Sequence, residues 1–134
     1  MCAFCGEALA ASATAGIASL EGKVYNSAYY SNLSASYYQL QRYTDCVETA
    51  TKALAMFDPK DNSPASVLGR AIAENNIACG LWKLGKPQEA VEHELIACAL
   101  APGNAQYKTS LDTFNAEAKQ AQRTAPPRPV HARR

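Results

Sequence analysis

Two cysteines at the start of the chain, Cys2 and Cys5, have the spacing with which a pair of thiolates grips zinc. A structural zinc site needs four ligands, and no second pair of Cys or His follows at a suitable spacing. A redox pair would stand at the start of a helix that follows a strand, and the sequence has no strand pattern. We therefore expect no metal site and no cofactor, and a metal- or thiol-dependent role through Cys2 and Cys5 stays open as the third alternative.

The two histidines are the other candidates for acid–base chemistry. His93 lies between Glu92 and Glu94 in a helical pattern, and His131 lies near the end of the chain. Neither has a nucleophile and an orienting acid at a recognisable spacing, so the sequence predicts no catalytic triad. No glycine-rich phosphate loop is present. These observations predict a protein that is not an enzyme.

Charge and composition narrow the class of partner. The chain has 134 residues, enough for one domain, with 48% hydrophobic and 19% charged residues. Its formal charge of +1 combines an acidic body with five basic residues beyond Glu117. An acidic body argues against a nucleic-acid platform. The uncharged run over 8–20 is too short and too rich in small residues for membrane insertion.

The cysteines also bear on the compartment. Five cysteines form an odd set, and no secretion signal with a basic start precedes them, so free thiols are expected rather than a disulfide scaffold. The first 22 residues contain no Arg or Lys, unlike a mitochondrial presequence. We expect a cytoplasmic protein, and an organellar complex, for example a mitochondrial one, is the open alternative.

The sequence contains an internal repeat of two copies. A shift of 44 residues aligns six identical residues over 25 positions, among them Asn32 with Asn76 and Val47 with Val91. Six more positions hold chemically similar pairs, such as Met56 with Leu100. The two segments are therefore interpreted as copies of one unit.

Each copy has the pattern of two helices joined by a short turn. Leu33, Tyr37 and Leu40 recur at helical spacing in the first copy. In the second copy the turn over 85–87 is Gly-Lys-Pro, in which Gly ends one helix and Pro suits the first turn of the next. The second helix of each copy ends before Pro59 or Pro102. Each copy is thus predicted to be a helical hairpin.

These hairpins resemble the tetratricopeptide repeat, a 34-residue helix-turn-helix with large aromatic residues, small alanines and a closing proline at fixed places. The matching residues are Tyr30, Leu33, Ser34, Tyr37, Cys46, Ala53 and Pro59 in the first copy, and Ile77, Ala78, Leu81, Gly85, Ala90, Ala97 and Pro102 in the second. The resemblance implies an all-α fold, a right-handed superhelix of helical hairpins that binds other proteins.

On this basis the chain divides into six segments with about six helices. These are an N-terminal Ala-rich helix or degenerate half repeat (1–26, helical over about 4–20), repeat 1 (27–60), an inserted turn and helix extension (61–70), repeat 2 (71–104), a capping helix (105–122) and a basic Pro-rich extended tail (123–134). Ser63 with Pro64 and Asn104 are expected to begin helices. Tyr107, Leu111, Phe114 and Ala118 should form the apolar face of the capping helix.

The first helices of such hairpins line a concave groove. Helical spacing places ten residues there, which are Ser31, Asn32, Ala35, Tyr38, Gln39, Asn75, Asn76, Cys79, Trp82 and Lys83. Asparagine side chains can hold the backbone of an extended peptide, and Tyr38 and Trp82 offer large, rigid anchor surfaces. The alternative is that both aromatic side chains only fill the seams between hairpins.

The expected function is that of a non-catalytic adaptor, or of a scaffold subunit in a larger protein complex, that binds its partner through the concave groove, the ends of the array and the basic tail. The first copy also resembles the middle repeat of chaperone-binding co-chaperones, in which an Asn at the place of Asn32 helps to clamp a C-terminal carboxylate. That family has basic residues at the places held here by Ile72 and Asn76, and Arg70 and Lys83 are the cations nearest in sequence. Binding the C-terminal peptide of a heat-shock chaperone is therefore the alternative function.

The tail carries a separate short motif. Arg123, Pro126 and Pro129 form the pattern R-x2-P-x2-P, which is typical of polyproline II ligands of Src-homology-3 domains. A tail that anchors the chain in a larger assembly is the alternative interpretation.

Overall fold

The computed structural model describes residues 23–125, which form five α-helices and contain no strand. The helices are α1 (Lys23–Gln39), α2 (Tyr43–Ala55), α3 (Pro64–Lys83), α4 (Pro87–Leu100) and α5 (Ala105–Thr124). The expectation of an all-α fold is confirmed for this part of the chain. The helix expected over 4–20, the Cys2–Cys5 pair and the tail beyond Ala125 lie outside the described residues.

Each helix packs against the next one along the chain, and α1 also packs against α3. The connections are short, because three residues join α1 to α2, three join α3 to α4 and four join α4 to α5. Short connections between helices that pack together produce antiparallel neighbours. The chain therefore forms two helical hairpins, followed by α5.

The two hairpins turn in the same way at equivalent positions. Gln41 and Gly85, which are 44 residues apart, both have a positive φ, 61° and 78° respectively. The next residue in each copy, Arg42 or Lys86, donates its backbone N–H to the carbonyl five residues earlier. This bond and the left-handed residue are the features of a helix ending with a Schellman-type turn. The sequence repeat thus corresponds to a repeat in backbone structure.

Helix starts follow the local chemistry. Ser63 accepts a hydrogen bond at its side-chain oxygen from the Ser66 N–H, and Pro64 occupies the first turn of α3. Asn104 accepts from the Tyr107 N–H at 3.1 Å and caps α5. Both expected N-caps are confirmed. Because α3 begins at Pro64, its first turns come from the insertion over 61–70.

Two helix bounds do not coincide with the expected segment bounds. The first described helix, α1, begins at Lys23, ahead of the segment that starts at 27. Helix α5 runs to Thr124, so Arg123 belongs to the helix and not to an extended tail beginning at 123. The physical reason is that no residue before Pro126 disfavours the helix, whereas a proline pushes the residue before it out of the α region. Ala125 accordingly has φ −66° and ψ 141°.

The core between the helices is built mainly from small residues. Ala50, Ala78 and Ala90 are fully buried beside Ile77 and Phe114. Small side chains allow helix backbones to approach closely where they cross. On α5, Tyr107, Phe114 and Ala118 are buried as expected, and Leu111 is half-buried.

The apolar pattern of the first copy is only partly a core pattern. Leu33 and Tyr37 are half-buried, but Leu40 is 64% exposed. Leu40 follows the last residue of α1, so the left-handed turn rather than the helical stripe determines where its side chain lies. None of the five helices is both long and apolar enough to cross a membrane.

Candidate protein-binding groove

A pocket with aromatic walls lies between α1, α3 and α5. Its volume is about 230 Å³. We call it the aromatic pocket; its lining residues are Tyr38, Asn75, Cys79, Trp82, Gln106, Tyr107, Thr109, Ser110, Thr113 and Phe114. Because all four of its aromatic side chains belong to the core clusters or pack against them, the pocket has rigid walls.

A second pocket, of about 330 Å³, lies next to the first between the same helices. We call it the amide pocket; it is lined by Ser31, Asn32, Ala35, Ile72, Asn75, Asn76, Asn104, Gln106 and Tyr107. Five of these residues carry side-chain amides, each with both a donor and an acceptor. The amide pocket is therefore suited to hydrogen bonding rather than to apolar contact alone.

The two pockets form one groove, because Asn75, Gln106 and Tyr107 line both of them. Helices α2 and α4 contribute no residue to either pocket. Of the ten residues expected in the groove, eight line these pockets. The other two, Gln39 and Lys83, are exposed and line neither.

Asn75 is held in place by a buried acid behind the groove. Its Nδ2 lies 3.1 Å from both carboxylate oxygens of Glu94 on α4 and 3.7 Å from Sγ of Cys79. Glu94 is 0% exposed, and burial raises the pKa of its carboxyl group from 4.5 to about 7. With its N–H donors directed at Glu94 and Cys79, Asn75 has its amide oxygen left as an acceptor for the groove.

Asn76, the next residue, serves the packing of the hairpins. Its Nδ2 donates to the Ser31 carbonyl oxygen at 3.2 Å and to Ser34 Oγ at 2.9 Å, both on α1. Its own carbonyl oxygen accepts a weak bond from Cys46 Sγ on α2 at 3.6 Å. Asn76 is buried and therefore links three helices, although it also borders the amide pocket.

Trp82 packs on the core and also lines the aromatic pocket. Its ring packs against Phe114 with the centroids 5.3 Å apart, and it contacts the core while only partly buried. Its Nε1 donates to a carboxylate oxygen of Glu117 on α5. The Lys83 ammonium lies 4.5 Å from the centroid of the Trp82 ring and makes a cation–π contact with it. Trp82 lines the aromatic pocket, whereas Lys83 does not.

His93 is half-buried and contacts an acid on the neighbouring helix. Its Nδ1 lies 3.1 Å from Oε2 of Glu74, a buried acid on α3. The hydrogen bond with Glu74 raises the pKa of His93 above its usual value. This contact joins α3 to α4 close to the Asn75–Glu94 pair. It lines neither pocket of the groove, so it acts as a structural contact.

The cysteines in the described part of the chain are free thiols. Burial raises the pKa of both Cys46 and Cys79 to about 12, so each is a neutral thiol near pH 7. Residues 23–125 contain no cluster of three or more His, Cys, Asp or Glu that could hold a metal ion. Of the tail motif, Arg123 lies in the last turn of α5, whereas Pro126 and Pro129 lie outside the described residues.

The sequence did not predict the wall that α5 supplies. Gln106, Thr109, Ser110 and Thr113 line the groove, but a helical wheel places them beside the apolar face of α5, where they read as solvent-facing. The sequence feature that could have predicted this wall is the unbroken stripe of polar residues at helical spacing next to Tyr107 and Phe114. That stripe becomes a groove wall only when α5 packs against α4 alongside α3.

Comparison of the chain with protein-family models, with curated proteins and with solved structures finds no match.

Proposed function

We propose that the chain is a non-catalytic protein-interaction module built of tetratricopeptide-type hairpins in a right-handed superhelix. One observation carries this proposal: the groove is lined by α1, α3 and α5, and by no residue of α2 or α4. Helices α1 and α3 are the first helices of the two hairpins, and α5 is the helix that follows the second hairpin. In repeat arrays of this type, the first helices form the concave binding surface.

The distribution of titratable groups supports a non-catalytic role. Glu94 has the most perturbed carboxyl group of the described residues, and such groups often mark active sites. It is fully buried behind Asn75 and so has no access to a substrate. Glu74 is likewise buried and pairs with His93. Both acids have a structural explanation as links between α3 and α4.

The groove suits a partner segment without a carboxylate better than it suits the C-terminal carboxylate of a chaperone. None of the groove residues in the described range is Lys or Arg, and a bound carboxylate needs such cations. The two nearby cations make other contacts. The Nη2 of Arg70 donates to the Asp61 carbonyl oxygen at 2.8 Å, and the Lys83 ammonium lies over the Trp82 ring. We therefore favour the adaptor or scaffold role over the co-chaperone role.

The buried cysteines support a proposed location for the protein. Cys46 and Cys79 are buried, free and protonated, as expected of cysteines that serve as small apolar residues. A reducing compartment preserves such thiols, so we propose that the protein acts in the cytoplasm.

A pull-down with matched variants tests the function. Thr113 and Thr51 are both exposed helical threonines whose hydroxyl groups bond to the carbonyl four residues earlier, but only Thr113 lines the groove. Thr113→Arg should remove a set of proteins that the full chain retains at constant stoichiometry from its source cells, whereas Thr51→Arg should keep it. If both variants retain the same proteins at the same ratio, the groove is not the binding surface.

A further inference from the structure

The groove continues beyond the amide pocket into a third pocket of about 270 Å³. We call it the apolar pocket; its additional lining residues are Ser27, Ala28, Phe57, Ala65, Leu68 and Gly69. It shares Ser31, Asn32 and Ile72 with the amide pocket. The apolar, amide and aromatic pockets therefore follow one another along α3.

The apolar pocket has the character of a binding surface. Leu68 is a large apolar residue on its wall and is 58% exposed. The Phe57 ring lies so close to Gly69 that a Cβ there would come within 2.2 Å of it. Glycine at 69 thus lets an aromatic side chain form part of the wall. Exposed apolar surface gathered in a concave site, rather than scattered, marks a place where a ligand binds.

The three pockets have no charged lining residue. None of the described residues lining them is Asp, Glu, Lys or Arg, although 19% of the chain is charged. An exposed acid, Glu117, lines a neighbouring pocket that shares Trp82. Glu94 is buried behind Asn75, and Lys83 contacts Trp82 without lining a pocket. A ligand charge placed here would lose its hydration and gain no ion-pair partner. The groove is therefore complementary to an uncharged ligand.

The spacing of the two end pockets follows from helix geometry. On α3, the apolar pocket is lined over 65–72 and the aromatic pocket over 75–82, so their centres are ten residues apart. At a rise of 1.5 Å per residue, ten helical residues span about 15 Å. An extended peptide advances roughly 3.3 Å per residue and points successive side chains to opposite faces. Two side chains on the same face that come closest to this distance are therefore about four residues apart.

The middle of the groove can hold a peptide backbone. Asn75 lies between the two ends, and its donors are taken by Glu94 and Cys79. Its amide oxygen is thereby oriented as an acceptor, and an acceptor held in place suits a peptide N–H. This pre-set geometry lowers the ordering cost of binding an extended chain.

We propose that the groove binds an uncharged, extended peptide segment of a partner protein with two apolar anchor residues about four positions apart. An aliphatic anchor enters the apolar pocket, an aromatic anchor enters the aromatic pocket, and the intervening backbone donates a hydrogen bond to Asn75. This inference rests on the proposed function and specifies its ligand class.

Synthetic peptides and the full chain provide the test. Trp82 is the only tryptophan and lines the aromatic pocket, so its fluorescence reports binding without a label. The probes are end-capped peptides of Ser, Thr, Asn and Gly with one Leu and one Phe, placed two, four or eight residues apart. We expect the four-residue spacing to bind at least tenfold more tightly than the other two. Two Lys or two Glu residues between the anchors should weaken it by a similar factor.

Two exposed alanines supply matched variants for the apolar end. Ala65 lines the apolar pocket, whereas Ala99 is an exposed helical residue of α4 outside the groove. Ala65→Arg should weaken the best peptide at least tenfold, and Ala99→Arg should leave its affinity unchanged. Methylating single backbone nitrogens between the two anchors should weaken binding at one position, the one whose N–H meets Asn75.

Three outcomes would overturn this proposal. The first is equal affinity at all spacings, and the second is tighter binding with a charged centre. The third is binding that appears only in a chain ending at Ala125, because the protein's own tail would then fill the groove. If Thr113→Arg releases the captured partner while peptides show no spacing preference, the ligand class is wrong and the proposed function stands. If Thr113→Arg affects neither readout, both fail.

Discussion

Asn75 and Asn76 are neighbours on α3 with different roles. Asn76 uses its side-chain donors on the Ser31 carbonyl and Ser34 Oγ and so fixes α3 against α1. Asn75 uses its donors on Glu94 and Cys79 and lines the groove, so its amide oxygen is the hydrogen-bonding atom that is left as an acceptor. Because consecutive helical residues are about 100° apart around the axis, adjacent identical side chains can serve the core and a binding surface separately.

Trp82 has a packing role and a groove role, and truncation should affect both. We expect Trp82→Ala to lower the free energy of unfolding by about 2–3 kcal/mol, less than for a fully buried aromatic residue, and to abolish partner binding. Urea unfolding followed by circular dichroism measures the stability, because the variant has no tryptophan left for fluorescence.

Trp82→Phe separates these roles further. It keeps an aromatic ring against Phe114 and loses the Nε1 donor to Glu117, an exposed hydrogen bond. We expect a cost of about 1 kcal/mol or less. If Trp82→Ala instead reduced stability strongly while leaving partner binding intact, Trp82 would be a core residue without a role in recognition.

At the scale of the elements, the two hairpin turns are the clearest repeat in the molecule. Gln41 adopts at φ 61° the left-handed conformation that Gly85 adopts at φ 78° in the second copy. A residue with a Cβ is strained there, whereas glycine is not. We expect Gln41→Gly to raise the free energy of unfolding by about 0.5–1 kcal/mol, after allowing for the greater freedom of glycine in the unfolded chain.

Thermal and urea unfolding of two variants check this turn. Gln39→Gly places the same substitution in the last residue of α1, which is helical and exposed, and it should destabilise the protein by about 0.5–1 kcal/mol. Opposite signs are expected for the two positions. A loss of stability in Gln41→Gly would show that the left-handed turn is not a source of strain.

The contact between α2 and α3 depends on the absence of a side chain at Gly80. A Cβ at this position would lie 2.6 Å from Cγ2 of Val47 and 3.4 Å from Sγ of Cys46. We expect Gly80→Ala to destabilise the protein by about 1–3 kcal/mol through overpacking. Gly103→Ala is the control and should be nearly neutral, because nothing lies within 4 Å of a Cβ there.

A double-mutant cycle identifies the contact responsible. Val47→Ala removes the methyl group that the new Cβ would meet, so the Gly80→Ala and Val47→Ala changes together should cost clearly less than the sum of their single effects. Strict additivity would mean that the cost of Gly80→Ala arises elsewhere in the α2–α3 contact.

At the scale of the whole molecule, the α3–α4 contact makes stability depend on pH. Burial raises the Glu94 pKa from 4.5 in the unfolded chain to about 7, so the folded protein holds the proton longer as pH rises. Stability therefore falls between about pH 4.5 and 7, by about 3 kcal/mol for a shift of this size. His93 acts in the same direction: its raised pKa gives stability below pH 6.5 that is lost as pH rises through the folded pKa.

Urea unfolding from pH 4.5 to 8.5 tests this dependence. Glu94→Gln should flatten the profile below pH 7 and make the protein more stable than the parent at pH 8, since no buried charge remains. Glu92→Gln, an exposed residue on the same helix, should leave the profile as it is. A parent protein whose stability rises from pH 5 to 8 would contradict the assigned burial of Glu94.

Much of this organisation could be predicted from the sequence. The 44-residue repeat, the helix-ending glycine at 85 and the capping residues Ser63 and Asn104 are local features, and local backbone chemistry placed the corresponding helix ends. Eight of the ten expected groove residues line the groove, since helical periodicity alone puts them on one face of α1 or α3.

Tertiary packing decided the rest. Glu74 and Glu94 are buried acids, and only the α3–α4 contact shows that His93 and Asn75 respectively provide their hydrogen bonds. The polar wall from α5 and the apolar pocket at Phe57 and Leu68 depend on how separate elements meet. A sequence determines which face a residue occupies on its own helix, because that depends on neighbours a few positions away. What that face meets depends on residues distant in the chain, and only their packing in three dimensions sets it.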